Sequence, residues 1–174
     1  MSITTLSRYL LSWALSASWR IHRLYSHVGT EANSRASLEL CSLLSRFPFW
    51  RDGHAALADL SLEAGDLAKA YASTQCVRIL SGQSRTHERR WRHLLARCLL
   101  STGRMAEALE ELQRAEGLGP ISAALVEDKA AALMALGRGP EAAESLSSLP
   151  LKALSPAAQM TLNYLKTKTE PPAA

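Results

Sequence analysis

The chain reads as an all-α fold, a solenoid of about eight to nine helices paired into hairpins, on three observations. One spacing occurs three times: an alanine, a glycine seven residues on, and a second alanine five residues further. The triplets are Ala58/Gly65/Ala70, Ala96/Gly103/Ala108 and Ala130/Gly137/Ala142, the last two offset by 34 residues and the first two by 38. A period near 34 with a glycine turn between two helices is the mark of stacked helical units. Alanine and leucine dominate while β-branched residues are scarce, which favours helix throughout. No segment reads as a strand.

The first helix is expected within residues 1–29. At 100° per residue, Leu6, Leu10, Trp13, Ala17, Ile21, Leu24 and Val28 share one face, and Leu11, Leu15 and Trp19 form a weaker second stripe. Gly29 suits a left-handed cap and Thr30 an N-cap. The next helix is expected over 32–46, with Ala36, Leu40, Leu43 and Leu44 inward and Pro48 beyond its end. Asp52 is the expected cap of a helix ending at Ala64 and Gly65. Asp66 then starts its partner, which turns Leu67, Ala70, Val77 and Leu80 inward and stops at Ser81 and Gly82. The segment 82–86 holds the four extra residues and is the longest expected loop of the repeats. Helices follow over 87–102 and 104–117, closed by Gly119 and Pro120. The next pair covers 121–136 and 140–148, where Pro140 fits a first turn that needs no intrahelical N–H. Ser155 caps a last helix over 156–168, with Met160, Leu162 and Leu165 as its apolar surface. Residues 169–174 are expected to form a disordered tail.

These units resemble tetratricopeptide repeats. In 89–122, Leu95, Ala96 and Leu99 match the first helix of that family's unit, and Ala108, Leu112, Ala115 and Pro120 match its second helix and stop. The family's aromatic is displaced by one, so that Arg92 occupies its position and Trp91 precedes it. Unit 123–156 matches through Val126, Ala130, Leu133, Ala142, Leu146 and Leu149. Unit 51–84 matches through Leu57, Ala58 and Ala70 but has Ser61 and Thr74 where large apolar residues belong. A half-match at 17–50 rests on Ala36, Leu40, Leu43 and Pro48 and departs at Arg20, Arg23 and His27. The resemblance implies one right-handed superhelical domain over 1–168, with 1–29 an aromatic, basic N-terminal helix and 155–168 a capping helix. It also implies a concave groove lined by the first helices of successive pairs and used to hold a protein partner.

Composition bounds the function. Hydrophobic residues make up 47% of the 174 and charged ones 21%, which is a globular rather than a disordered balance. Cys41, Cys76 and Cys98 are isolated and odd in number, so the chain suits the cytoplasm or another reducing compartment rather than a disulfide scaffold. The eleven uncharged residues between Arg8 and Arg20 are too few to cross a bilayer, which takes about 20. Residues 1–29 carry Arg8, Arg20 and Arg23 and no acid, a composition that an organellar presequence shares. The net charge of +4 is unevenly placed: 84–98 is arginine-rich, and the stretch from Cys98 to Gly119 is acidic. Such alternation points to localised contact patches and away from a nucleic-acid-binding tail.

Projected on the helical period, the groove side presents Asp52, Ala55 and Asp59, then Arg90, His93 and Arg97, then Glu127, Ala131 and Met134. The basic row Arg90/His93/Arg97 can take a carboxylate with bidentate bonds, so an acidic or C-terminal peptide segment is the natural ligand. The flanking Asp59 and Glu127 leave a second reading open, in which the row neutralises its own neighbours. The paired asparagines of family members that clamp two carboxylates have no counterpart, since Asn33 and Asn163 fall outside the groove helices. Seven of the ten aromatic residues lie in the first fifty, which makes Tyr9, Trp13, Trp19, Arg20 and Arg23 a candidate N-terminal interface. The five histidines form no i,i+4 metal pair, His93 and Cys98 are five apart, and the Gly-Leu-Gly and Gly-Arg-Gly segments end helices. No enzyme, cofactor or metal is therefore expected. The leading reading is an adaptor, scaffold or assembly factor, chaperone-like in size, that binds protein, with self-association or a larger complex open. The second is a peripheral membrane or complex-embedded subunit anchored through its N-terminal helix.

Overall fold

A computed structural model of the protein describes residues 30–169, and every regular element in that span is helical. In chain order these are α1 (Thr30–Arg46), α2 (Arg51–Glu63), α3 (Leu67–Leu80), α4 (Arg85–Ser101), α5 (Met105–Glu116), α6 (Ala123–Ala135), α7 (Gly139–Ser147) and α8 (Pro156–Thr169). A short 3-10 turn, Leu151–Ala153, precedes α8. No strand occurs among the described residues, and no helix among them is long and apolar enough to cross a membrane. The all-α class follows directly.

The three repeated glycines perform one task. Gly65, Gly103 and Gly137 take φ of 75°, 77° and 74°, a left-handed conformation cheap only for glycine. After each, the next backbone N–H returns to the preceding helix: Asp66 to Ser61 at 2.8 Å, Arg104 to Leu99 at 2.9 Å and Arg138 to Leu133 at 2.8 Å. With the glycine N–H bonds to Leu62, Leu100 and Met134, this is the Schellman termination, which closes one helix and turns the chain into the next. The paired alanines serve the helix contact. Ala58, Ala70, Ala96, Ala108 and Ala142 are 0% exposed and Ala130 is 3%, since small side chains let backbones come close. Accordingly α2 packs on α3, α4 on α5 and α6 on α7, while α2 also touches α4 and α4 touches α6.

The core is segmented along the chain. Ala36, Leu40, Leu44, Ala56, Leu57 and Leu60 pack α1 onto α2, with Trp50 against them. Ala55, Ala58, Val77 and Leu94 join α2, α3 and α4 beside Trp91. The largest cluster runs from Ala96 through Leu112, Val126, Leu133 and Leu146 to Leu162 and Leu165 on α8. Gly53 has a packing role, because a Cβ there would run into the Trp50 ring.

Several local expectations are corrected. Asp52 lies inside the first turn of α2, where Trp50 is the cap residue and makes no side-chain cap bond. Ala55 is fully buried, because it lies roughly 50° round the helix from the line of Asp52 and Asp59. The extra residues near 82–86 are partly absorbed into α4, which begins at Arg85, so the connections between α5 and α6 and between α7 and α8 are both longer. Met160 is 74% exposed while Leu162 and Leu165 are buried, so α8 turns a different face inward. Leu67 and Leu80 are half-buried. Ser61 and Thr74 do occupy core positions: Thr74 Oγ1 donates to the Ala70 carbonyl at 2.9 Å, and Ser61 Oγ is buried with no hydrogen-bond partner among the described residues. Thr30, expected as a cap, is the first residue of α1. Ser155 caps as expected, accepting from the Ala158 N–H at 3.2 Å, and Asp66, expected to start α3, is its cap and accepts from the Lys69 N–H at 3.1 Å.

Candidate functional site

The face shared by α2, α4 and α6 begins with the positions of its ionisable side chains. Asp52 and Asp59 are seven residues apart on α2, as are Arg90 and Arg97 on α4, so each pair falls on one line of its helix. Because α2 and α4 touch, the two lines meet. Arg97 Nη1 donates to Asp59 Oδ1, and Arg90 Nη1 stands 3.8 Å from Asp52 Oδ1. His93 turns the other way and places Nε2 2.7 Å from Asp128 Oδ2 on α6. The structure thus brings Asp59, Arg90, His93 and Arg97 into one polar strip. Its basic side chains face acids of the neighbouring helices. The Arg97–Asp59 pair has side chains 31% and 26% exposed, whereas Arg90–Asp52 is 51% and 53% exposed. The outer pair is therefore the weaker and the more open to competition.

Glu127 does not join that strip. Its Oε1 accepts the Ser155 backbone N–H at 2.6 Å and so ties α6 to the start of α8. The sequence projected Glu127 toward the basic row, but its neighbour Asp128 takes that role, a rotation of one residue on α6. Between α6 and α8 lies a cleft of about 470 Å³, lined by Ala130, Ala131, Met134, Ala157, Ala158 and Thr161 with Leu146 of α7, and edged by Glu127, Asp128 and Ser155. Its wall is mostly apolar, four alanines with Met134 and Leu146, and its polar groups are Thr161, Ser155 and the two carboxylates. The α8 half of this cleft was not legible in the sequence, since no periodic signal says which face of a last helix turns back onto α6.

A second polar group bridges α4 to α5. Arg92 Nη1 donates to Glu111 Oε2 at 2.7 Å, and its Nη2 donates to Glu88 Oε1 at 2.7 Å. Burial works against the charge of Arg92, but its bonds to Glu88 and Glu111 outweigh it and hold the guanidinium above its ordinary pKa. The same guanidinium lies 4.5 Å from the Trp91 ring, with Arg78 at 5.8 Å. Cys98 is buried, and burial pushes its thiol up, away from the thiolate form. Among the described residues no group of three His, Cys, Asp or Glu side chains is placed to hold a metal ion.

Tyr9, Trp13, Trp19, Arg20 and Arg23 lie outside the described residues. Comparison with protein-family models, with curated proteins and with solved structures finds no match for the chain.

Proposed function

We propose that the protein is a non-catalytic interaction module, an adaptor, scaffold or assembly factor, built as a right-handed tetratricopeptide-like solenoid. It holds an extended segment of a partner protein against α2, α4 and α6 and in the cleft between α6 and α8. The observation that carries this reading is the recurrence of one unit: three glycine turns with φ within 3° of each other, flanked by buried alanines at matching positions. Stacked units of that kind leave their first helices side by side as an extended binding surface. The polar strip then has two duties. Arg97–Asp59 and His93–Asp128 set the register of the helices, and Arg90, held loosely by Asp52, exchanges its acid for a carboxylate of the incoming segment. An apolar side chain of the same segment fills the cleft over Ala131 and Met134.

The test is selection of a displayed peptide library on the full chain, followed by affinity measurement with Met134→Arg. Selected peptides should bind the variant at least about tenfold more weakly, with helicity unchanged. Equal affinity for both proteins defeats the groove assignment.

A further inference from the structure

We propose that the end of the molecule formed by the α1–α2, α3–α4 and α5–α6 turns is a docking surface for an anionic phospholipid bilayer. Cross-links between the elements show that these turns lie together. Arg51 Nη1, at the start of α2, is 2.7 Å from His87 Nδ1 in the first turn of α4. Arg89, also in α4, donates to the carbonyl of Pro120 in the α5–α6 turn.

The charge at this end is unbalanced. The acids in the first turns of α2 and α4 are Asp52 and Glu88. Arg51 and Arg90 already engage Asp52, Arg92 engages Glu88, and Glu116 at the end of α5 is held by Lys129. Arg46, at the end of α1, and Arg85, at the start of α4, are exposed and pair with no acid among the described residues.

Apolar side chains stand among these cations. Phe49, in the turn between Arg46 and Arg51, is 82% exposed, and Ile79, in the last turn of α3, is 76% exposed. A ring so far out of its own surface is not the wall of a recess. A rigid protein partner would need a matching pocket for it, whereas the headgroup boundary of a bilayer accepts a protruding ring while flanking arginines take lipid phosphates. The surface therefore fits a bilayer better than an acidic peptide. Its proposed lipid contacts, Arg46, Phe49, Ile79 and Arg85, are not groove residues, although Asp52 and Arg90 border both surfaces.

The experiment is flotation of the full chain with two kinds of vesicle. One is phosphatidylcholine alone, and the other contains about one third phosphatidylglycerol at about 0.1 M NaCl. The expected result is binding to the anionic vesicles, with little to phosphatidylcholine alone. Arg46→Glu with Arg85→Glu should weaken it about tenfold or more, and Phe49→Ser several-fold, with far-UV circular dichroism unchanged. Absence of binding by the unaltered chain overturns the proposal. So does equal flotation of the altered chains, which would place any membrane contact elsewhere. A third contrary result is loss of binding to a soluble poly-glutamate peptide in the arginine variant while vesicle binding persists, which would make the surface an acidic-protein site.

Discussion

On the tetratricopeptide-like reading, Arg92 stands where the unit would carry an aromatic ring, and its surroundings show how the substitution is accommodated. Trp91 supplies the ring from the adjacent position and lies under the Arg92 guanidinium. Arg92 in turn joins Glu88 and Glu111, whose side chains are 32% and 12% exposed, so its own charge, only 20% exposed, is compensated on two sides. Arg92→Ala leaves Glu111 with Arg114 as its remaining cation and removes the link from α4 to α5. The expected loss is about 1–2 kcal/mol in urea denaturation, discounted from the figure for a fully buried pair because both partners keep some exposure. Arg90→Ala, at the half-exposed outer pair, should cost no more than about 0.5 kcal/mol. If the two substitutions cost the same, the graded account of the arginines fails. That grading was beyond the sequence. A row of three basic residues on α4 was legible, but which acid faces which base depends on the stagger between helices, and one residue of rotation separates Asp128 from Glu127.

At the scale of the element, each glycine turn opens onto a helix whose first turn carries the same device. Asp66 pairs with Lys69, Arg104 with Glu107 and Arg138 with Glu141, each residue after the glycine joined to the one three further on. The Arg104 and Arg138 hydrogen bonds hold Glu107 and Glu141 below the usual carboxylate range, and Lys69 does the same for Asp66. A carboxylate whose pKa is lower folded than unfolded contributes stability above its unfolded pKa and loses it as pH falls through the folded value. Thermal stability should therefore decline as pH drops below about 4, and Glu107→Gln with Glu141→Gln should flatten that decline at low ionic strength. The groups are at the surface, so the effect is small and needs low salt to be seen. An unchanged acid profile in the double variant contradicts this role. The helices themselves were legible, because the glycine punctuation, the caps at Asp66 and Ser155 and the alanine spacing are all local signals. The inward face of α8 was not, since Met160 and Leu162 are both apolar and the long-range contact with α6 and α7 decides between them.

For the whole molecule, the segmented core and the packing of each helix on its successor make a frame in which neighbours in sequence are neighbours in space. Such a frame divides labour by surface. The glycine turns and buried alanines hold the helices, the strip from Asp52 to Asp128 links α2, α4 and α6 through polar contacts, and the cleft beyond it offers apolar room beside two carboxylates. The period was readable from one sequence because it is written in residue types with few substitutes, glycine at positive φ and alanine at helix contacts. The cleft was not, because it exists only once α8 has folded back. The central claim is that a partner segment lies along the first helices and not on the outer helices. A photoreactive residue at exposed Ala131 on α6, set against one at exposed Ser147 on α7, tests it most directly. A selected peptide should cross-link from position 131 and not from 147; cross-linking from 147 with none from 131 would place the segment on the outer helices instead.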